Sequence, residues 1–351
     1  MTVRNVLLTG ATGVVGSALL PRLQGHHVIS MTHRGRCSSP SVRGDVSQPR
    51  LGLDPVTYQR TAELIDTVVH CAAVTDFATT AERTDDTNVR GTEQVLAFAR
   101  DAGARLVYVS TAFVDRSEQA TRSAGAAMPG VATSKAYIDS KVEAEGLVLR
   151  SGLPAVIARP SIVIGDSGTG WSPRSQGLFV MVQAALNGDL PPLLPGSGRT
   201  HFDLIPRDVL AEALAALVDA GTETGEYWLT GGDASLSLPR LVELTQETAA
   251  RHGVDFKPYR LVPPRTAARL AIREPIAADL ETQRHYMHSM LALVHLLDEV
   301  EPFPSCLGRL PSGPPALTPE AVEDAYRALV THLIGNGGVR SRRLTPAATA
   351  D

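Results

Sequence analysis

Two residues that stand four positions apart, Tyr137 and Lys141, could together assist a redox step. On a helix this spacing puts both side chains on one face. A free tyrosine has a pKa of about 10, which is too high for efficient proton transfer at neutral pH, and a neighbouring ammonium lowers it. The tuned phenol could then exchange a proton with a substrate oxygen while a hydride moves to or from carbon.

A hydroxyl at the end of a predicted buried strand could complete this pair. The apolar run 105–110 ends at Ser110, and Thr111 follows it. Catalytic groups of open α/β sheets lie at the carboxyl ends of the strands. We favour Thr111 over Ser110 as the residue that hydrogen-bonds the substrate oxygen beside Tyr137. The alternative is a hydroxyl that only satisfies the local backbone.

A glycine-rich turn stands between the first predicted strand and the first predicted helix, with the spacing G-x-x-G-x-x-G. In dinucleotide-binding turns such glycines allow a tight turn, a close approach to the pyrophosphate and close helix–strand packing. The helix start then offers free N–H groups to the phosphates. The residues predicted to bind the cofactor here are Gly10, Thr12, Gly13, Val14, Val15 and Gly16.

The segment after the second predicted strand contains His33, Arg34 and Arg36 but no acidic residue. An acid at this place favours NAD, whereas an arginine accommodates the extra phosphate of NADP. We therefore favour NADP(H) over NAD(H), with Arg34 as the leading contact. The alternative is that both arginines are solvated loop residues. Asp45 and Val46 follow the next short run and are predicted near the adenine, although Asp45 could be an ordinary turn aspartate.

Strand-like and helical segments alternate through the first half, which predicts parallel strands with crossover helices. The predicted class is α/β, a Rossmann-type doubly wound sheet with a smaller, mostly helical C-terminal substrate lobe. We assign residues 1–165 to the dinucleotide-binding core, with 200–235 returning to it. Residues 166–200 and 236–336 form the predicted lobe. The tail 337–351 lacks periodicity and is predicted to be disordered.

The individual predictions are as follows. Strands are expected at 3–9, 27–32, 42–46, 67–72, 105–110, 155–160 and 226–230. Helices are expected at 58–65, 84–102, 137–150, 208–220, 238–252, 264–273, 276–300 and 318–334.

Composition narrows the class of protein. The net charge is −4 with 20% charged residues, which does not suggest a nucleic-acid or membrane surface. No apolar run is long enough to span a bilayer. The three cysteines lie far apart and form no cluster with histidine, so neither a disulfide framework nor a metal site is predicted. We expect a cytoplasmic protein.

Taken together, the motifs resemble the extended short-chain dehydrogenase/reductase superfamily over about residues 3–230. They are T-G-A-T-G-V-V-G at 9–16, H-C-A-A at 70–73, N-V-R-G-T at 88–92, V-S-T-A-F-V at 109–114, Y-I-D-S-K at 137–141 and A-R-P-S-I-V-I-G at 158–165. Three segments resemble the thioester reductase and fatty acyl-CoA reductase branch more narrowly, at 44–53, 159–165 and 165–171.

That resemblance implies an NADPH-dependent reduction of an acyl thioester, on coenzyme A or on a carrier protein, to an aldehyde or alcohol. It implies that Thr111 and Tyr137 hold and protonate the carbonyl oxygen and that Lys141 binds the nicotinamide ribose. His33 stands where the family often has a basic residue. The residues implied to line the cofactor are Ala72, Ala73, Pro160, Ser161 and Ile162.

Two alternatives share some of these residues. A related enzyme could act on a ketone, an alcohol or a nucleotide sugar with the same catalytic set. A redox-silent NADP-binding protein is a third reading, but such proteins typically lose the tyrosine or the lysine, and this chain has both. The segment beyond residue 230, which would form most of the substrate site, matches no motif.

Overall fold

A computed structural model describes residues 2–35, 37, 39–75, 80–125, 131–175, 177–273 and 279–336. Two of the predictions above fall outside these residues: the cofactor contact of Arg36 and the disorder of the tail 337–351.

Thirteen strands lie in the described residues. They are β1 (Asn5–Thr9), β2 (His27–Thr32), β3 (Ser41–Arg43), β4 (Thr67–His70), β5 (Arg105–Val109), β6 (Ala155–Pro160), β7 (Ile162–Ile164), β8 (Leu193–Pro195), β9 (His201–Phe202), β10 (Leu204–Pro206), β11 (Gly225–Leu229), β12 (Leu236–Ser237) and β13 (Arg260–Val262).

Seven of these strands form one parallel sheet in the order β11-β6-β5-β4-β1-β2-β3. The order reverses between β1 and β4, and in open α/β sheets ligands bind outside the carboxyl ends of the strands at such a point. The predicted Rossmann-type sheet is thus confirmed. The remaining strands pair two by two, β10 with β7, β12 with β9 and β13 with β8.

Twelve α-helices accompany the strands in the described part of the chain. They are α1 (Val14–Leu19), α2 (Pro55–Leu64), α3 (Ala81–Thr84), α4 (Gly91–Ala102), α5 (Ser117–Gly125), α6 (Val131–Arg150), α7 (Leu178–Asn187), α8 (Arg207–Asp219), α9 (Leu238–Arg251), α10 (Pro264–Arg273), α11 (Asp279–Val294) and α12 (Pro319–Gly335). A π-helical turn, Asp85–Arg90, joins α3 to α4.

Strand β5 shows how the sheet is covered on both faces. Leu106 and Tyr108 point into the core beneath α4 and α6, while Val107 and Val109 point into the core beneath α1 and α8. All four are buried, as expected for a parallel strand with helices on both sides. A further core joins α7, α9 and α12 to the sheet edge.

Several observed elements lie outside the predicted ones. The sequence predicts neither the helices α5 and α7 nor the short strands of the two-stranded pairs. Helix α7 is apolar on nearly every face, so it shows no one-sided periodicity. The helix expected to reach residue 300 ends at Val294. Strand β3 ends at Arg43, so Asp45 and Val46 lie in the loop that follows it.

Candidate active site

The glycine-rich turn brings β1, α1 and the end of β4 into backbone contact. Gly10 has φ +70°, and a Cβ there would lie 2.7 Å from the backbone nitrogen of Ala72. A Cβ on Gly16 would lie 2.2 Å from the carbonyl oxygen of Gly10. Both positions therefore exclude any side chain. Gly13 precedes α1 in extended conformation, and no side chain caps the helix among the described residues.

A loop with basic residues lies against this turn. A Cβ on Gly35 would lie 2.9 Å from the Thr12 side chain, which places the preceding residues His33 and Arg34 beside the turn. Both side chains are exposed. The loop thus carries two exposed basic residues in the segment that leads to Gly35, beside the glycine turn.

Asp45 faces the same loop from the segment after β3. Its carboxylate accepts hydrogen bonds from the Ser47 backbone and hydroxyl, at 3.0 and 2.7 Å, and lies 3.5 Å from His33 Nδ1. Partial burial opposes ionisation, but the Ser47 hydrogen bonds and the nearby charges of His33 and Arg34 lower the pKa of Asp45. Val46 is buried against Gly91 at the start of α4.

The segment after β4 forms the wall opposite the turn. The Ala72 N–H donates to Thr9 Oγ1 at 3.2 Å, and Ala73 follows half-buried. Asn88, in the π-helical turn, accepts from the Val74 N–H at 2.9 Å and donates to the Val74 carbonyl at 3.0 Å. A side chain that bonds both backbone groups of one residue fixes that segment beside the glycine turn.

Thr111 and Tyr137 meet at the carboxyl end of β5. Thr111 is buried, begins a 3-10 turn and accepts from the Phe113 N–H at 3.3 Å. Its hydroxyl lies near enough to that of Tyr137 to oppose a rise in the pKa of the phenol. The neighbouring Ser110 hydroxyl is buried without a hydrogen-bond partner among the described residues.

The pKa of Tyr137 differs from the sequence-based expectation. Burial raises it to about 12, and the Thr111 hydroxyl opposes that rise. The prediction was a pKa lowered by Lys141, but the Lys141 ammonium donates instead to the Val109 carbonyl at 3.0 Å and to the Tyr108 hydroxyl at 3.2 Å. In this arrangement Tyr137 is protonated at neutral pH, and its raised pKa makes it a weaker acid than a free tyrosine.

Lys141 is fully enclosed, and burial lowers its pKa to about 8. The carboxylate of Glu145, one helical turn further along α6, opposes this shift. Glu145 is itself buried and held by Arg159, with Nε at 3.0 Å and Nη2 at 2.6 Å. Arg159 reaches Glu226 on β11 at 2.6 Å with its third nitrogen.

Pro160 ends β6, Ser161 follows it, and Ile162 begins β7. Ser161 is buried beside Asp203, whose carboxylate accepts from the backbone N–H groups of residues 231 and 232 at 2.6 and 2.9 Å. Burial raises the pKa of Asp203 in spite of these hydrogen bonds.

The structure places the predicted cofactor residues at or after the carboxyl ends of β1, β2, β3, β4 and β6, and Thr111 after β5. Tyr137 and Lys141 lie on α6. Sequence reasoning missed Glu145 and Arg159. A signal for Glu145 was present, because it continues the four-residue spacing of Tyr137 and Lys141 on one helix face. Nothing in the sequence pairs it with Arg159 on β6.

Neither a membrane-spanning helix nor a cluster of metal ligands occurs among the described residues. None of the helices there combines the length and apolar character that a membrane span requires. No three His, Cys, Asp or Glu side chains of those residues converge as metal ligands would.

The chain is similar to a known protein family and to several known proteins. A family model described as Male sterility protein matches residues 39–214. A hybrid PKS-NRPS synthetase from Talaromyces variabilis is 30% identical over 231 residues, which is 61% of this chain and 6% of that protein. The chain thus spans a small part of the relatives it matches.

Solved structures show the same fold. The terminal R domain from the myxalamid PKS-NRPS biosynthetic pathway superposes with a TM-score of 0.71 at 20% identity, over 97% of this chain and 92% of that one. A thiolation-reductase di-domain from an archaeal non-ribosomal peptide synthetase gives a TM-score of 0.67 at 18% identity, over 95% of this chain and 75% of that one.

Proposed function

The chain belongs to the male sterility protein family; on that premise we propose that it is an NAD(P)-dependent oxidoreductase of the thioester reductase branch of the extended short-chain dehydrogenases/reductases, and that it reduces an acyl thioester with NADPH. The observation that carries the proposal is the meeting of the buried Thr111 and Tyr137 side chains at the carboxyl end of β5, with Lys141 one turn along α6. An acyl thioester meets these residues through its carbonyl oxygen.

The residues of the glycine turn fit a dinucleotide. Gly10 and Gly16 let the turn pack directly on backbone, as dinucleotide-binding turns do, and no side chain caps the start of α1 that follows. We propose that Ala72, Ala73, Pro160, Ser161 and Ile162 line the nicotinamide half and Asp45 and Val46 the adenine half. When bound, the cofactor supplies the hydride. Exposed Arg34, aided by His33, supports NADPH over NADH because the 2′-phosphate needs a cationic partner.

Residues of this chain carry out the proton transfer. The Thr111 and Tyr137 hydroxyls hold the carbonyl oxygen, and Tyr137, protonated at neutral pH, gives up its proton as negative charge develops there. The Lys141 ammonium binds the ribose hydroxyls and then stabilises the tyrosinate that proton donation leaves behind. Collapse of the resulting hemithioacetal releases the thiol and an aldehyde.

Coenzyme A and a carrier protein are the two candidate carriers of the acyl thioester. Similarity to a synthetase and to a thiolation-reductase di-domain supports a carrier-protein-bound thioester. We propose that residues 166–200 and 236–336 form the lobe that receives it.

A panel of substrates tests the proposal. The purified protein is mixed with NADPH or NADH and an acyl-CoA, a carrier-bound acyl thioester, an aldehyde or a ketone, and the loss of nicotinamide absorbance is followed. We expect turnover of thioesters with NADPH. Rapid turnover of ketones without any turnover of thioesters would show that the enzyme belongs with the ketone and alcohol reductases instead.

A further inference from the structure

Tyr108, on β5, contacts the Lys141 ammonium but takes no part in the proposed proton transfer. Lys141 Nζ donates to the Tyr108 hydroxyl oxygen at 3.2 Å and lies 4.8 Å from the centre of the Tyr108 ring. The same ammonium donates to the Val109 carbonyl at 3.0 Å. All three residues are buried. An ammonium has three N–H donors, so two acceptors on β5 fix Nζ and leave the third N–H for another partner.

The Tyr108 hydroxyl can accept from Lys141 because Thr92, on α4, offers an acceptor for its proton. Burial raises the pKa of Tyr108, and the nearby Thr92 hydroxyl opposes that rise. Thr92 donates its own proton to the Asn88 carbonyl at 2.6 Å. A hydroxyl whose proton is engaged can still accept through its oxygen. The lone pairs of the Tyr108 oxygen are therefore left to Lys141.

His70, on β4, holds Thr92 from a second side. Its Nε2 lies 3.5 Å from Thr92 Oγ1, and its Nδ1 lies 2.8 Å from Thr9 Oγ1. Because the Thr92 proton is engaged, we assign the ring proton to Nε2, and Nδ1 then accepts from Thr9. Burial and the Lys141 charge lower the pKa of His70 to about 3, so the ring is neutral. Thr92 thus stays an acceptor, and the imidazole adds no second cation beside Lys141.

Packing alone does not account for these polar groups. Phenylalanine and valine have almost the shapes of tyrosine and threonine and would fill the same places in the core. Replacing both partners of a buried hydrogen bond by apolar groups of the same shape can be nearly neutral for stability. A buried ammonium needs acceptors, since its charge is costly away from water. The contribution of Tyr108 and Thr92 is therefore an acceptor for Lys141.

The other titratable groups near Lys141 differ in charge. The Glu145 carboxylate on α6 favours the ammonium, whereas burial works against it and lowers the pKa of Lys141 to about 8. Burial raises the pKa of the Cys71 thiol, after β4, to about 12. Tyr137 and His70 are neutral at neutral pH as well. Among the described residues, Glu145 and the acceptors on β5 are therefore the groups that keep Lys141 charged.

We propose that Tyr108 is a positioning residue of this enzyme, whose hydroxyl oxygen holds the Lys141 ammonium in place and in its charged form. Thr92 and His70 keep that hydroxyl turned toward the ammonium. This inference rests on the proposed function, in which Lys141 binds the nicotinamide ribose and stabilises the tyrosinate. Loss of the Tyr108 oxygen leaves the buried ammonium with one acceptor on β5, so its charged form becomes less stable.

Nuclear magnetic resonance (NMR) can follow the charge of Lys141 without cofactor or substrate. The chain contains three lysines, Lys135, Lys141 and Lys257, so lysine labelled with 13C at Cε gives three signals. Lys135→Arg and Lys257→Arg identify the other two. In the wild type, the Lys141 signal should titrate with a pKa of about 8. In Tyr108→Phe this midpoint should fall by about one pH unit, because a hydrogen bond to a charged group is lost.

Tyr326→Phe, on α12, is the matched control, since it removes another buried tyrosine hydroxyl, which is paired with Thr245 at 2.8 Å. It should leave the midpoint of Lys141 unchanged. An unchanged midpoint in folded Tyr108→Phe would overturn the proposal. If Tyr108→Phe does not fold, Thr92→Val decides. The midpoint should fall in that variant too, and an unshifted midpoint in the folded protein contradicts the proposal.

The pH profile of activity gives a second readout. With NADPH and an acyl thioester, a fall of about one unit in the pKa of Lys141 should leave kcat/KM of Tyr108→Phe nearly unchanged at pH 6 and lower it about fivefold at pH 8. An equal loss at both pH values would show that Tyr108 only supports the fold, against the proposal.

The NMR titration also separates this inference from the proposed function. A lowered midpoint in Tyr108→Phe supports the role of Tyr108 even if no thioester is reduced. Thioester turnover together with an unshifted midpoint would sink the role of Tyr108 and leave the proposed function standing.

Discussion

The glycine turn and an apolar cavity between α7, α9, α11 and α12 show two ways in which parts of this molecule pack. In the turn, backbone atoms meet backbone atoms, and a single added carbon on Gly16 would collide with the Gly10 carbonyl. In the cavity, flexible side chains such as Met181 and Met290 form the wall around empty space. The turn therefore tolerates almost no change, whereas the cavity can be reshaped.

The largest loss of activity is expected when the proposed proton donor is removed. Tyr137→Phe removes the hydroxyl that lies beside Thr111, and kcat should fall about a thousandfold because the proton is no longer delivered. NADPH binding, measured by fluorescence titration, should persist.

The control for that prediction is Tyr259→Phe, which removes a hydroxyl bonded to the Ala185 carbonyl in the lobe. Its kcat should stay near that of the wild type. Retained activity in Tyr137→Phe would mean that another residue donates the proton.

The next effect tests the turn directly. Gly16→Ala places a Cβ against the backbone of Gly10 and Ala11, and we expect a loss of about 3 kcal/mol of unfolding free energy together with the loss of NADPH binding. Gly168→Ala, where a Cβ meets open space, should leave both unchanged. Denaturant unfolding and cofactor titration measure the two quantities. Similar stabilities for the two variants would contradict the backbone contact inferred here.

Arg34 tests whether the basic loop beside the turn selects the cofactor. Arg34→Ala should raise the KM for NADPH about tenfold to a hundredfold and leave that for NADH unchanged, since only the former carries the 2′-phosphate. Arg60→Ala, at an exposed position on α2, is the matched control. An equal rise in KM for NADPH and NADH would show that Arg34 does not distinguish the two cofactors.

A smaller effect concerns the pH profile. The Lys141 ammonium, which exists below its pKa of about 8, is lost as pH rises, so kcat/KM should decline above that pH. Glu145→Gln removes the carboxylate that supports the ammonium, and the decline should move to lower pH.

Glu226→Gln is its control, because it removes the other, more exposed carboxylate on Arg159. It should leave the profile in place. If both variants shift the profile equally, the effect belongs to Arg159 and not to the interaction of Glu145 with Lys141.

The smallest effect on the unfolding free energy is expected when a carbon is added in the lobe and not in the glycine turn. Val242→Ile also adds one carbon, but into the wall of the cavity. The unfolding free energy should change by less than about 0.5 kcal/mol. A loss as large as that of Gly16→Ala would show that the lobe is as tightly packed as the turn.

Much of the sheet and of its site could be predicted from the sequence. The position of Thr111 beside Tyr137 follows from the rule that functional groups gather at strand ends, although the two are separated by an entire helix, α5, along the chain. The pKa of Tyr137 could not be predicted, because it depends on where Lys141 points. Its ammonium is engaged by the Val109 carbonyl and the Tyr108 hydroxyl, which the spacing on α6 does not reveal.

The sequence by itself determined the local features: the glycine turn, the alternation of strands and helices, and the shared helix face of Tyr137 and Lys141. Each depends on backbone conformation or periodicity within a few residues. Tertiary structure alone decided the Glu145–Arg159 pair and the cavity between α7, α9 and α11. These features arise where segments distant in the chain pack together, and apolar residues that line a cavity have the same composition as those that fill a core.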